Sequence, residues 1–119
     1  MIKTIVAAML LAVPVAARPG PAAPPPGATS DAATTGYRQA MKSMMEHMDT
    51  PYSGNPDRDF VIGMLPHHQG AIDMAQVELQ YGRDPGLRKL ARDVIASQAK
   101  EQNFMRAWLA KHPVGKSRQ

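Results

Sequence analysis

The chain of 119 residues contains no cysteine. That removes disulfide frameworks, thiolate metal sites, lipid attachment through cysteine, and covalent haem, which needs Cys-x-x-Cys-His. Glutamates are scarce: only Glu46, Glu78 and Glu101 occur. A carboxylate-bridged di-iron oxidase draws on Glu-x-x-His pairs and several inward glutamates, and this chain has no such pair. The His-Glu-x-x-His of zinc proteases is absent, and no serine–histidine–acid arrangement stands out. The chain is therefore expected not to be an enzyme. Aromatics make up 5% of residues, and basic residues are scattered along the chain. Nucleic acid calls for a basic patch or stripe, so the net charge of +4 reads as a solvated surface without a nucleic-acid partner.

A long hydrophobic run is also missing. The apolar stretch Ile5 to Val15 falls short of the roughly 20 residues that span a bilayer. With Lys3 before it and Val15-Ala16-Ala17 after it, residues 1–17 read as a secretory signal peptide. The expected location is periplasmic or secreted, with no stable membrane span after cleavage. Residues 18–36 carry Pro19, Pro21, Pro24, Pro25 and Pro26 among alanines and glycines, the composition of a flexible, extended linker. A helical domain is expected over 37–113 and a disordered tail over 114–119.

Methionine is plentiful, with nine residues. Met41, Met44, Met45 and Met48 fall at i, i+3, i+4 and i+7, which predicts an amphipathic helix from Tyr37 to Asp49 with His47 beside the stripe. Asn55-Pro56 predicts the start of a second helix, and Gly82 its end after Tyr81. Asp84-Pro85 starts a third, which Pro113 stops. The short Gly82–Asp84 connection makes the two long helices an antiparallel hairpin. Their leftover apolar face predicts a dimer of hairpins that completes a bundle.

The second helix holds the stretch on which the reading centres, Met64-Leu65-Pro66-His67-His68-Gln69-Gly70-Ala71-Ile72-Asp73-Met74-Ala75. Pro66 has no N–H to give the Ile62 carbonyl, so the helix is expected to kink or begin afresh there. At 100° per residue Met64, His67, His68 and Met74 share one broad face. Imidazoles with thioethers suit a soft ion such as Cu(I) or Ag(I). The plainer alternative is that the histidines hydrogen-bond across the bundle. Met44, His47 and Met48 form a second candidate ligand group, or else an adaptable core face, the commoner use of a methionine stripe. Gln98 and Glu101 interrupt the apolar stripe of the third helix. They are candidates to hydrogen-bond a metal-binding histidine from behind, or to bond between helices. Asp73 reads as solvated and His112 as a cap on helix-end carbonyls.

Met64-x-Pro66-His67-His68-x-x-Ala71-Ile72-x-Met74-Ala75, Asp84-Pro85-x-Leu87-Arg88-x-Leu90-Ala91 and Gln98-x-x-Glu101-x-x-x-Met105-x-x-Trp108-Leu109 together resemble the domain of unknown function 305 family. The resemblance covers about Tyr37 to His112. It implies an all-α, ferritin-like helical bundle, exported and, as in members of the CopM type, binding copper. It maps ligands onto Met64, His67, His68, Met74 and Met105. Gln102 departs from the aliphatic residue that resemblance implies there, which should weaken the core slightly. The reading is a small exported copper protein, Cu(I) favoured over Cu(II) or Ag(I), serving copper buffering, relay or tolerance with a copper donor or acceptor protein as partner. The alternative is a metal-free helical interaction or structural module of the cell envelope.

Overall fold

The computed structural model describes residues 28–114. They form three helices, α1 (Ala28–Met48), α2 (Pro56–Tyr81) and α3 (Pro85–Lys111), with no strand among the described residues. The expected signal peptide, the linker up to residue 27 and the tail from residue 115 lie outside the described residues. No helix among those described is long and apolar enough to cross a membrane.

Local chemistry accounts for most of the boundaries. At the start of α2 the Asn55 side chain accepts the Arg58 N–H at 3.1 Å, Pro56 takes the first helical position, and Asp57 and Asp59 face the N-terminal dipole. The turn before it is held by Asp59, which accepts from the Ser53 N–H (2.8 Å), the Ser53 hydroxyl (2.7 Å) and the Gly54 N–H (3.1 Å). Those donors, the Ser53 backbone first, hold the Asp59 carboxyl below its ordinary range. Gly54 takes φ 83°, a left-handed turn that glycine enters without a Cβ penalty. At α3 the Asp84 carboxylate accepts the Leu87 N–H at 2.8 Å. The Gly82 N–H closes α2 onto the Glu78 carbonyl, and Arg88 donates to the Leu79 and Gly82 carbonyls at 2.7 and 2.9 Å. His112 ends α3, its ring against the Trp108 carbonyl at 2.7 Å and stacked on the Trp108 indole at 4.1 Å. Its expected role as a cap is the one it plays.

One expectation needs correction, and one pair of alternatives narrows to the first. The linker does not reach residue 36, because α1 begins at Ala28. Ala32 and Ala33 favour helix and no proline lies between Pro26 and the end of α1 at Met48. Gly36, the weakest helix former of this stretch, is where α1 meets α2: a Cβ there would lie 2.9 Å from Val77 Cγ2. Nor does a new helix begin at Pro66, since α2 runs through it without interruption.

Pairings across the helices set their directions. Arg58 donates to the His112 carbonyl at 3.0 Å, His68 meets Glu101, and Gln69 meets Gln102, so α2 and α3 run antiparallel. Gly36 against Val77 and Gly70 against Met44 make α1 and α2 antiparallel as well. The Tyr37 hydroxyl, pushed above its ordinary value first by burial and then by the Glu78 carboxylate beside it, belongs to the same seam. Both α1 and α3 pack on α2 but not on each other, so α2 is the middle of an open row of three. The core is thin: Ala40, Val61, Ile72, Ala75, Val77, Ala91 and Met105 are its buried apolar residues, with Gln102 the buried polar one.

Candidate metal-binding groove

On α2 the residues at i and i+4 lie one turn apart, so Met64 and His68 stand on one side of the helix. The α3 register then brings Glu101, Met105 and Trp108 opposite them. These five, with Asp57, Phe60, Val61, Ser97, Lys100 and Phe104, line an open groove of ≈ 950 Å³ between the two helices. The His68 side chain is 12% exposed, Met105 is buried and Met64 half-buried, whereas Glu101 is 57% exposed.

The ring of His68 is engaged at both nitrogens. Nδ1 lies 2.8 Å from the Met64 carbonyl and Nε2 lies 2.6 Å from Glu101 Oε2. A carbonyl and a carboxylate only accept, so both contacts are hydrogen bonds when the ring carries a proton on each nitrogen. The Met64 carbonyl is fixed in the helix and aims the ring. Glu101 is on a solvated side chain at the nitrogen that looks into the groove.

His67 is exposed, and its ring centroid stands 6.3 Å from that of His68 at an interplanar angle of 62°. Adjacent helical residues diverge by about 100°, so the pair does not form a two-pronged claw on the helix. Met74 is exposed, two turns further along α2 and outside the groove lining. Gln98 is half-buried on α3 and likewise outside it.

The α1 candidates go elsewhere. Met44 packs on Gly70, and with Ser43, His47, Leu65, Pro66, Gln69, Asp73 and Arg106 it lines a second groove of ≈ 290 Å³ that shares no residue with the first. His47 is exposed with Nδ1 2.7 Å from the Ser43 carbonyl, and Met48 is also exposed. Asp73, expected to be solvated, is half-buried and accepts from Gln69 at 2.9 Å. The candidate ligands thus divide between two sides of α2. Among the described residues no three histidine, aspartate or glutamate side chains gather in the manner of a hard-ligand metal site.

Gln102 is not a gap in an apolar core; it is buried and donates to Gln69 Oε1 at 3.1 Å, with the Leu65 carbonyl at 3.5 Å. Gln69 is exposed and regains water if that bond is lost, so Gln102→Leu is expected to change unfolding free energy by less than about 1 kcal/mol in either direction. Urea denaturation followed by circular dichroism measures it. A loss well beyond that value would mean the amide pair orders the helices.

The family described as domain of unknown function (DUF305) matches residues 15–110. The chain belongs to the DUF305 family. Among curated relatives, the uncharacterized protein L153 of Acanthamoeba polyphaga mimivirus is 40% identical over 53 residues, 44% of this chain. That match spans 35% of the viral protein's length. For this DUF305 chain, the family resemblance read from the histidine motif is therefore established.

Proposed function

We propose that this DUF305 chain is an exported copper-binding protein that takes Cu(I) in the α2–α3 groove. The observation that carries the reading is the convergence of His68, Met64 and Met105, an imidazole and two thioethers, on one half-open apolar groove. Thioether and imidazole ligands favour a soft monovalent ion over hard cations. The Met64 carbonyl holds Nδ1 and leaves Nε2 as the ligating nitrogen, the task usually given to an outer hydrogen-bond partner. On this reading Glu101 occupies the place of the metal when none is bound, and swings to solvent or joins the ligands when it arrives. His67 and Met74, exposed beside the groove, are outer contacts for an ion in transit. Met44, His47 and Met48 face a different environment and are given no part in this site.

The same reading makes the protein a binder, not an enzyme, with copper as cargo exchanged with a donor or acceptor protein. Its export rests on the signal-like residues 1–17, and a ferritin-like bundle on the α2–α3 hairpin as one half of four helices. A second reading, a metal-free interaction module of the envelope, is favoured by one observation: the His68–Glu101 pair is complete without a metal.

An anaerobic Cu(I) titration of the full chain against a chromophoric chelator tests the choice. Binding of one ion with quenching of Trp108, which lines the groove, is the expected result. Failure to compete with even a weak chelator would reject the copper reading.

A further inference from the structure

The outer side of the hairpin carries two stripes of seven-residue spacing. On α2 they are Phe60, His67 and Met74; on α3 they are Leu90, Ser97 and Phe104, and all six are exposed. A seven-residue repeat keeps one seam facing a partner helix along its whole length. Every exposed large apolar side chain described on α2 and α3 falls on this side: Phe60 (62% exposed), Met74, Leu87, Leu90 and Phe104 (72% exposed). Gln69, Gln76, Arg92, Asn103 and Arg106 take the opposite side by the same 100° register.

We propose that this side is where a second copy of the chain packs, hairpin on hairpin, to make a four-helix bundle. Area favours it. The five exposed side chains present roughly 550 Å² of apolar surface, at the upper end of what a monomer's largest patch reaches and close to the apolar share of one partner in a standard interface. Shape favours it, because two antiparallel seams the length of α3 match a partner with two long antiparallel helices. Charge favours a like partner: Asp57, Lys100 and Glu101 lie on the same patch, both signs together, as a surface paired with itself about a two-fold axis needs. The core points the same way, since no large side chain among the described residues is fully buried. Pairing closes the groove over His68, while α1 stays on the outside of the bundle against α2.

Sedimentation equilibrium of the full chain in metal-free, chelator-containing buffer tests this separately from any copper reading. A dimer is expected in the micromolar range. Phe104→Glu and Phe60→Glu are each expected to weaken it by at least about 30-fold, the effect of removing a central anchor. Both positions are exposed in the monomer, so helical circular dichroism should match wild type. Arg106→Glu, on the opposite side, should leave the dimer intact. A wild-type monomer at high concentration overturns the proposal. So does a dimer that survives both phenylalanine changes, or one that Arg106→Glu dissolves.

Discussion

Replacing His68 with alanine is expected to lower Cu(I) affinity by about 100-fold or more, while His67→Ala changes it by no more than about threefold. Loss of an outer hydrogen-bond partner alone costs metal sites 10–100-fold, so loss of the ligand should reach or pass the upper end. The asymmetry follows from placement. His68 is nearly buried and aims Nε2 into the groove, whereas His67 is exposed and outside the groove lining. Met64→Leu combined with Met105→Leu should also weaken binding, since leucine keeps the packing and removes both thioethers. His68→Ala frees Glu101 into water, where it is already 57% exposed, so the fold should survive. Competition titration of the wild type, these three variants and Met44→Leu/His47→Ala reads the result. Equal loss from His67→Ala and His68→Ala would assign copper to both rings. Unchanged affinity in His68→Ala, with loss in Met44→Leu/His47→Ala, would move the ion to the groove on the other side of α2.

Gly70→Leu is expected to strip α1 from α2. Gly70 is buried where the two helices approach most closely on the Met44 side: a Cβ there would lie 2.7 Å from Met44 Sδ and 3.1 Å from both Met44 Cβ and Cγ. Sδ can swing aside, but Met44 Cβ moves only with its helix. A leucine at that point overpacks the seam, which costs about 1–3 kcal/mol, and α1 has no other helix to hold it. Most of a helix's stability in a protein comes from packing its amphipathic face, which α1 would lose. Amide hydrogen exchange should show α1 losing protection while α2 and α3 keep theirs, with helical circular dichroism reduced in proportion. Gly36→Val, against Val77 at the other end of the seam, should act in the same direction. Full protection of α1 in Gly70→Leu would mean that α1 has another anchor. Because α1 lies outside the copper groove, Gly70→Leu should bind Cu(I) as wild type does.

Helix ends and helix faces were legible in the amino-acid order because their causes are local. Asn55-Pro56 and Asp84-Pro85 cap with their own side chains, Gly82 and Pro113 stop the runs they follow, and a short connection forces a hairpin. The double-histidine motif of α2 carried the family. The choice among neighbours was not legible, because periodicity sorts the faces of one helix without saying what each face meets. Only packing sent Met44 and His47 to one side of α2 and Met105 to the other. Only packing brought Glu101, 33 residues away in the chain, onto Nε2 of His68. Gly36, a helix breaker by propensity, became a helix contact because Val77 needed the room, and Gln102 became a buried bond because Gln69 stood opposite. Local chemistry is written residue by residue, whereas these pairings exist only once three helices have chosen their register.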